Sequence, residues 1–135
     1  MPKLSGKCLC GNISFSGDAE IARAGNCHCT DCRNATGAAY ATLVTVAEDA
    51  MTVTGTPKVY RHKADSGSDM EKVFCPDCGS QLFARNSSRP GMLSIRAGVL
   101  DQTDEVKPAF NVFLDSRIGS TPVDPDLPGF ARMPE

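Results

Sequence analysis

The chain has 135 residues, of which 41% are hydrophobic and 22% are charged, and its formal net charge at pH 7 is −2. This length fits a single domain with its own core, and the composition is ordinary for a soluble globular protein. The slightly negative charge argues against non-specific binding to nucleic acid, which requires a concentrated basic face. No window approaches the roughly 18 consecutive apolar residues of a membrane span, and residues 1–7 lack the apolar core of a secretory signal. We therefore expect one soluble, cytoplasmic domain over residues 1–135.

Short β-type runs recur along the chain and are separated by Gly, Pro and Ser. In chain order they are 12–16, 39–46, 51–54, 58–62, 72–74, 81–84, 93–99 and 110–114. Several of them alternate apolar and polar residues, which is the pattern of a half-buried strand. No long stretch has the 3.6-residue period of a helix. The pattern predicts a mainly β fold of small antiparallel sheets that are pinned by metal.

One short helix is predicted after residue 30, where Thr30 or Asp31 can cap its N-terminus and Gly37 can end it. Residues 47–50 fit one further helical turn. A proline-rich tail begins at about Thr121, and its prolines prevent long regular secondary structure. We expect this tail to lie extended across the surface or to be partly mobile.

Seven cysteines form three clusters, and these clusters are the main functional signal of the sequence. In a reducing compartment such clusters indicate metal ligands or catalytic groups rather than disulfides, and an odd count would leave one thiol unpaired. Two clusters are pairs, and together they make a quartet; the third is a trio. The quartet is Cys8, Cys10, Cys75 and Cys78, and the trio is Cys27, Cys29 and Cys32. Structural zinc sites are closed by four ligands, whereas catalytic zinc has three protein ligands and an open position. Four plus three therefore predicts one zinc that stabilises the fold and a second that is available for chemistry.

The quartet combines a zinc knuckle, Cys75-Pro76-Asp77-Cys78, with a Cys-x-Cys pair. On an extended strand, Cys8 and Cys10 project to one face while Leu9 points away. A zinc that joins both pairs would contribute on the order of 10 kcal/mol to folding. Two alternatives remain. The first pair can be small buried apolar residues, and the knuckle can be a redox pair, although the βαβ context of a thioredoxin is absent.

The trio repeats the alternate spacing at Cys27 and Cys29, and Cys32 lies at the start of the predicted helix. The helix dipole, together with Arg33, is expected to lower the pKa of Cys32. A water or an incoming thiol would fill the open position of a metal there. In one alternative His28 supplies a fourth ligand, although strand alternation points its side chain the other way. In another, all seven thiols hold an iron–sulfur cluster, although their spacings match no ferredoxin signature.

Other polar residues carry weaker signals. We expect His62 to be a surface residue rather than a general base, and Asp31 to orient a substrate or cap the helix. Arg85, Arg96 and Arg117 have the guanidinium group that binds carboxylates in a bidentate manner, but nothing in the sequence places them at a site.

The cysteine motifs resemble the signatures of the glutathione-dependent formaldehyde-activating enzyme family, whose domain is shared with centromere protein V. The matching motifs are Lys7-Cys8-Leu9-Cys10-Gly11, Cys27-His28-Cys29-Thr30-Asp31-Cys32-Arg33 and Phe74-Cys75-Pro76-Asp77-Cys78-Gly79-Ser80-Gln81-Leu82-Phe83. The resemblance extends from about Lys3 to Phe130. It implies an Mss4-like fold of coiled antiparallel β-sheets, a structural zinc on the quartet, and a more labile catalytic zinc on Cys27, Cys29 and Cys32.

The resemblance also implies a carbon–sulfur lyase activity, since the family's founding reaction reversibly joins formaldehyde to glutathione as S-hydroxymethylglutathione. We therefore expect a zinc-dependent lyase or synthase whose partner is a small thiol such as glutathione, with no nucleic-acid or membrane partner. His28 is a weak candidate for the acid that protonates the developing alkoxide in this reaction. Relatives commonly place a tryptophan after the segment that resembles residues 110–117, whereas this chain has none. The alternative is a non-enzymatic, zinc-stabilised interaction module of the Mss4-like fold.

Overall fold

Two β-sheets, one of three strands and one of seven, make up most of the computed structural model, which describes residues 2–134. The strands are β1 (Leu4–Lys7), β2 (Ser14–Gly17), β3 (Arg23–Cys27), β4 (Ala41–Ala47), β5 (Met51–Thr54), β6 (Lys58–Lys63), β7 (Asp69–Phe74), β8 (Gln81–Asn86), β9 (Met92–Arg96) and β10 (Asn111–Val112). The α-helix within these residues is α1 (Thr30–Thr36). Short 3₁₀ turns occur at Glu48–Ala50, Ala97–Val99, Thr103–Glu105 and Leu114–Ser116. The predicted mainly β fold with short helical turns is confirmed.

The small sheet has the strand order β1-β2-β5, and the large sheet has the order β10-β3-β4-β9-β8-β7-β6. Neighbouring strands are antiparallel, as predicted, except that β10 runs parallel to β3. In that parallel pair Val112 lies opposite Cys27. The edge of the large sheet is thereby brought next to the trio.

One hydrophobic core joins the two sheets. Ile13 and Phe15 of the small-sheet side belong to the same buried cluster as Val44, Phe83 and Ile95 of the large sheet. The rings of Phe15 and Phe83 meet edge to face, with centroids 6.4 Å apart. Such pairs contribute about 0.5–1.5 kcal/mol beyond the apolar area that they bury, so the sheets are held together by packing as well as by any metal.

Strands β1 and β3 were not predicted, because their sequences LSGK and RAGNC are short, polar and rich in glycine. Gly25 is required in β3, since a Cβ there would lie 2.2 Å from the ring of Phe110. Two predicted strands are also shorter than expected. The run 93–99 ends as a strand at Arg96, and only Asn111–Val112 of the run 110–114 is a strand.

Helix α1 lies where it was predicted, but the prediction of its N-cap was wrong. The cap is Cys29, whose Sγ accepts a hydrogen bond from the backbone N–H of Cys32 at 3.3 Å. Gly37 ends the helix in the left-handed region, with φ of 71°, and its N–H donates to the carbonyl of Arg33. The helix therefore begins on one trio residue and contains another.

Part of the proline-rich tail is bound along β10, after a turn in which the N–H of Leu127 donates to the carbonyl of Asp124. The N–H of Asn111 donates to the carbonyl of Pro128, and that of Phe130 donates to Asn111, each over 2.9 Å. The N–H of Leu114 then donates to Phe130 at 3.0 Å. These bonds anchor Phe130 at the edge of the large sheet that carries the trio.

Candidate functional site

The quartet sulfurs converge at the junction between the two sheets. The Sγ atoms of Cys8, Cys10, Cys75 and Cys78 all lie within 4.8 Å of one another. Cys8 and Cys75 are buried, whereas Cys10 is exposed and Cys78 is half-buried. One residue pair follows β1 and the other lies between β7 and β8, so any ion held there would link the two sheets.

The quartet is built from two turns, and the prediction that Cys8 and Cys10 lie on a strand was wrong. The N–H of Gly11 donates to the carbonyl of Cys8, as that of Gly79 donates to Cys75. Both glycines adopt positive φ, 81° and 78°, a conformation that other residues rarely adopt. Leu9 points outward and is 87% exposed, as predicted. The turn brings the sulfurs of Cys8 and Cys10 together, as the predicted strand was expected to do.

The quartet geometry fits a tetrahedral zinc ion. A Zn–S bond of about 2.3 Å places the sulfurs of a regular tetrahedron about 3.8 Å apart. The Sγ atom of Cys10 is 3.6 Å from that of Cys8 and 3.8 Å from that of Cys75. Thiolates are also the soft ligands that zinc accepts. The donor set and its spacing therefore match a closed zinc site.

The quartet thiols differ in how readily they ionise. Hydrogen bonds from the Ser80 hydroxyl and from the backbone N–H groups of Cys10 and Ser80 lower the pKa of Cys78 to about 5. A backbone N–H at Asn12 lowers the pKa of Cys10, but partial desolvation and hydrogen bonds with the neighbouring thiols outweigh this effect and raise that pKa to about 12. Four adjacent thiolates repel one another, so full ionisation requires a cation between them.

The trio sulfurs also converge, at the point where β3 leads into α1. The Sγ atoms of Cys27, Cys29 and Cys32 lie within 4.8 Å of one another, and no other His, Cys, Asp or Glu of residues 2–134 joins them. Cys27 is 8% exposed and Cys32 is 7% exposed, whereas Cys29 is only half-buried. This arrangement holds three donors with one of them on the solvent side.

Within the trio, one thiol ionises at the expense of the others. Hydrogen bonds from Cys27 and Cys32 lower the pKa of Cys29 to about 2. Hydrogen bonding to Cys29 and Cys32, together with burial, raises the pKa of Cys27. For Cys32, the bond to Cys27 lowers the pKa, but the bond to Cys29 and burial raise it on balance. The trio thus carries one readily formed thiolate beside two thiols that need a cation to ionise.

His28 does not join the trio. Its ring is 1% exposed, lies 4.7 Å from the ring of Tyr40, and places Nε2 3.3 Å from Oδ1 of Asn111. The Asn111 side chain also accepts a hydrogen bond from Asn26, whose side chain points to the opposite face of β3 from that of Cys27. His28 therefore faces away from the site, as strand alternation predicted, and neither a fourth ligand nor an acid is available from it.

Three phenylalanine side chains, which we call the aromatic wall, pack beside the trio. Phe110, Phe113 and Phe130 pack against a cluster that contains Cys27, Cys32, Ala41 and Val112. Phe113 has φ of 58°, the only positive value for a residue other than glycine among residues 2–134. Strain of this kind, costing roughly 1–3 kcal/mol, is often found at functional sites. The sequence gives no signal for this wall, because Phe130 reaches the site only through the pairing of the tail with β10.

Two buried cations lie under α1 beside the trio. Lys72 is 6% exposed and Arg96 is 7% exposed. The charge of Arg96 favours the thiolate form of Cys32. Burial and the charge of Arg96 lower the pKa of Lys72 overall, although Cys32, Asp31 and Cys29 favour the charged form of Lys72. Lys72 was not identified from the sequence, and Arg96 was identified without a location.

The other arginines predicted as candidates lie elsewhere. Arg33 directs its Nη2 to Thr30. The charge of Arg96 acts to lower the pKa of Cys32, but that pKa is raised on balance, contrary to the prediction. Arg85 forms a bidentate ion pair with Glu48, and Arg117 is exposed.

Comparisons with known proteins identify a family and a shared fold for this chain. The model of a family described as "Glutathione-dependent formaldehyde-activating enzyme" matches residues 3–116. A protein of Phaeosphaeria nodorum named "Putative glutathione-dependent formaldehyde-activating enzyme" is 26% identical over 119 residues, covering 86% of this chain. The chain spans 62% of the length of that curated relative. A crystal structure of a Rhodobacter sphaeroides protein, 19% identical, has a TM-score of 0.57 and covers 93% of this chain and 98% of its own, which shows the shared fold.

Two further findings concern membrane-spanning helices and the extent of the family match. Within residues 2–134 we find no helix with the length and apolar character needed to span a bilayer. The family match includes all seven cysteines and ends before the tail that carries Phe130. By this match over most of its length, the chain belongs to the glutathione-dependent formaldehyde-activating enzyme family.

Proposed function

We propose that this protein is a zinc-dependent carbon–sulfur lyase or synthase that acts on a small thiol–aldehyde adduct such as S-hydroxymethylglutathione. The observation that carries the proposal is the division of the cysteines into a closed set of four and a half-exposed set of three. Membership of the family supports the choice of glutathione and formaldehyde as the reactants. A set of seven reduced thiols fits the reducing conditions of the cytoplasm.

In this proposal, Cys8, Cys10, Cys75 and Cys78 hold a structural zinc, and the trio holds a catalytic zinc that exchanges more readily. Zinc bound to the trio would supply an open coordination position at which a thiol gives up its proton more easily. Cys29 is the trio ligand on the solvent side, so the thiol is expected to approach past it.

The residues around the trio set the environment of the reaction. In the synthetic direction the thiol loses its proton, its sulfur forms a bond to the carbonyl carbon of formaldehyde, and the carbonyl oxygen takes up a proton. In the lyase direction the carbon–sulfur bond breaks and the two protons move back. The wall of Phe110, Phe113 and Phe130 packs against the trio cluster and is expected to limit the access of water. Arg96 opposes the negative charge of the sulfurs.

The test is the substitution Cys29→Ser. Serine is among the best N-cap residues, so α1 should keep its cap, and the substitution should lower the free energy of unfolding by less than about 1 kcal/mol. We expect the variant to retain the quartet zinc, lose the trio zinc and lose turnover of glutathione with formaldehyde. The matched control is Thr30→Ser, the next residue along, which should keep both metals and full turnover.

Metal analysis and a turnover assay on the same samples separate the two roles. Unchanged turnover in Cys29→Ser, with one zinc per chain, would exclude the trio as the reaction site. One tight zinc in the wild type and no response to any thiol would instead favour the non-enzymatic interaction module.

A further inference from the structure

Lys72 and Arg96 lie on the same face of the large sheet. Lys72 is paired with Ala84 of β8, and Ala84 is paired with Ser94 of β9. Side chains two residues apart on a strand share a face, so Arg96 lies on the face of Ser94. The opposite face carries the hydrophobic core residues Phe83 and Ile95. Two positive charges are therefore placed on the side that α1 covers.

These charges lack a complete set of partners. Within residues 2–134 neither Lys72 nor Arg96 forms an ion pair with a carboxylate. Nε and Nη2 of Arg96 are buried without a hydrogen-bond partner. A buried charge without a partner is energetically costly, so such groups are normally paired. The thiolates of the trio provide part of the missing negative charge for both cations.

Lys72 borders a cavity of about 440 Å³ between α1 and strands β6–β8, which we call the Lys72 cavity. Gln81 and His62 line the same cavity, and each has a buried atom, Oε1 and Nε2 respectively, with no hydrogen-bond partner among the described residues. Asp31 lines it from an exposed position and makes no ion pair with Lys72. The cavity thus presents a cation beside two polar groups that lack partners.

These groups specify the chemistry of a ligand. A carboxylate would pair with Lys72, and an N–H group beside it would donate to Oε1 of Gln81 or to Nε2 of His62. Carboxylate and N–H groups occur together in amino acids and peptides. The cavity lies near the trio, because Asp31, which lines it, is the residue immediately before Cys32 in the chain.

We propose that the Lys72 cavity binds the anionic, peptide-like part of the thiol substrate, with Lys72 pairing with its carboxylate. This inference rests on the proposed function and deepens it, because it assigns the site a preference for carboxylate-bearing thiols over neutral ones. Lys72 is then a specificity-determining residue that does not touch the reacting atoms.

The test is calorimetric titration of zinc-loaded wild type and Lys72→Met with three probes. The probes are glutathione, its diethyl ester, in which both carboxylates are blocked, and S-methylglutathione, which keeps the carboxylates but has no thiol. The control variant is Lys63→Met on β6, since Lys63 is an exposed lysine paired with Asp69. Loss of a charge-assisted hydrogen bond should weaken glutathione and S-methylglutathione binding by about tenfold or more in Lys72→Met. Binding of the diethyl ester should change by less than about twofold, and Lys63→Met should match the wild type.

The outcomes separate this inference from the proposed function. Equal weakening of glutathione and its ester would overturn the inference, because Lys72 would then act only by balancing the sulfur charge. Failure of both glutathione and S-methylglutathione to bind the wild type would also overturn it. Lys72-dependent binding of S-methylglutathione without any turnover of glutathione and formaldehyde would support the cavity and refute the lyase.

Discussion

The quartet is expected to stabilise the fold much more than the trio, because its two halves are far apart in the sequence. Cys10 and Cys75 are separated by 65 positions, whereas Cys27 and Cys32 bracket one short stretch of chain. The loop-closure entropy of a cross-link gives about 4 kcal/mol at 25 °C for a loop of the first size and about 2 kcal/mol for a loop of about five residues. The free energy of the metal–sulfur bonds adds to both values.

Two matched double variants test this difference. One is Cys75→Ser with Cys78→Ser, which removes half of the quartet, and the other is Cys27→Ser with Cys32→Ser, which removes two trio ligands. We expect the first to lose at least about 4 kcal/mol of unfolding free energy, equivalent to a fall in Tm of about 15 °C for a chain of this size. The second should lose clearly less. Urea unfolding of the zinc-saturated proteins, followed by circular dichroism, measures both. A loss in the quartet variant no greater than that in the trio variant would refute the reasoning.

Three further results are expected. The pKa of Cys29 is lowered to about 2, while those of the other trio thiols are raised. Zinc binding to the trio at pH 7 should therefore release about two protons and become tighter as pH rises. Calorimetry in buffers of different ionisation enthalpy counts the released protons, and release of none would contradict the assignment. Phe130→Ala should open the aromatic wall and speed removal of the trio zinc by a chelator several-fold, with little change in the quartet zinc; equal rates would show that the wall does not protect the site. Gly25→Ala places a Cβ 2.2 Å from the Phe110 ring and should cost about 1–3 kcal/mol by urea unfolding, whereas Gly98→Ala, with nothing within 4 Å, should cost little.

The convergence of the sulfurs within each cysteine motif could be predicted from the sequence because it is a local property of the chain. One or two residues between successive cysteines of a motif bring the sulfurs together in a compact turn. This explains why the pairing of Cys8 with Cys10 was anticipated although the predicted strand is a turn. In the same way, the end of α1 at Gly37 follows from the conformational freedom of one residue.

The surroundings of the trio could not be predicted, because they depend on contacts between distant parts of the chain. In the sequence, Lys72 is only a charged residue at the start of a predicted strand, and it is the neighbouring strands and α1 that bury it. The parallel pairing of β10 with β3, which carries Phe130 to the site, leaves no local pattern. Strand β3 was missed because Phe110 packs over Gly25 and replaces the side chain that a strand pattern would require.

The different sequence ranges of the two cysteine sets have a consequence for synthesis on the ribosome. The trio is complete once residue 32 has emerged, whereas the quartet must wait for Cys78, and Phe130 appears only near the end. Since chains emerge at roughly 5–20 residues per second, the trio is open to metal ions and small thiols for several seconds before its aromatic cover arrives. The trio of this protein therefore passes through an interval without its aromatic cover each time a new copy is made.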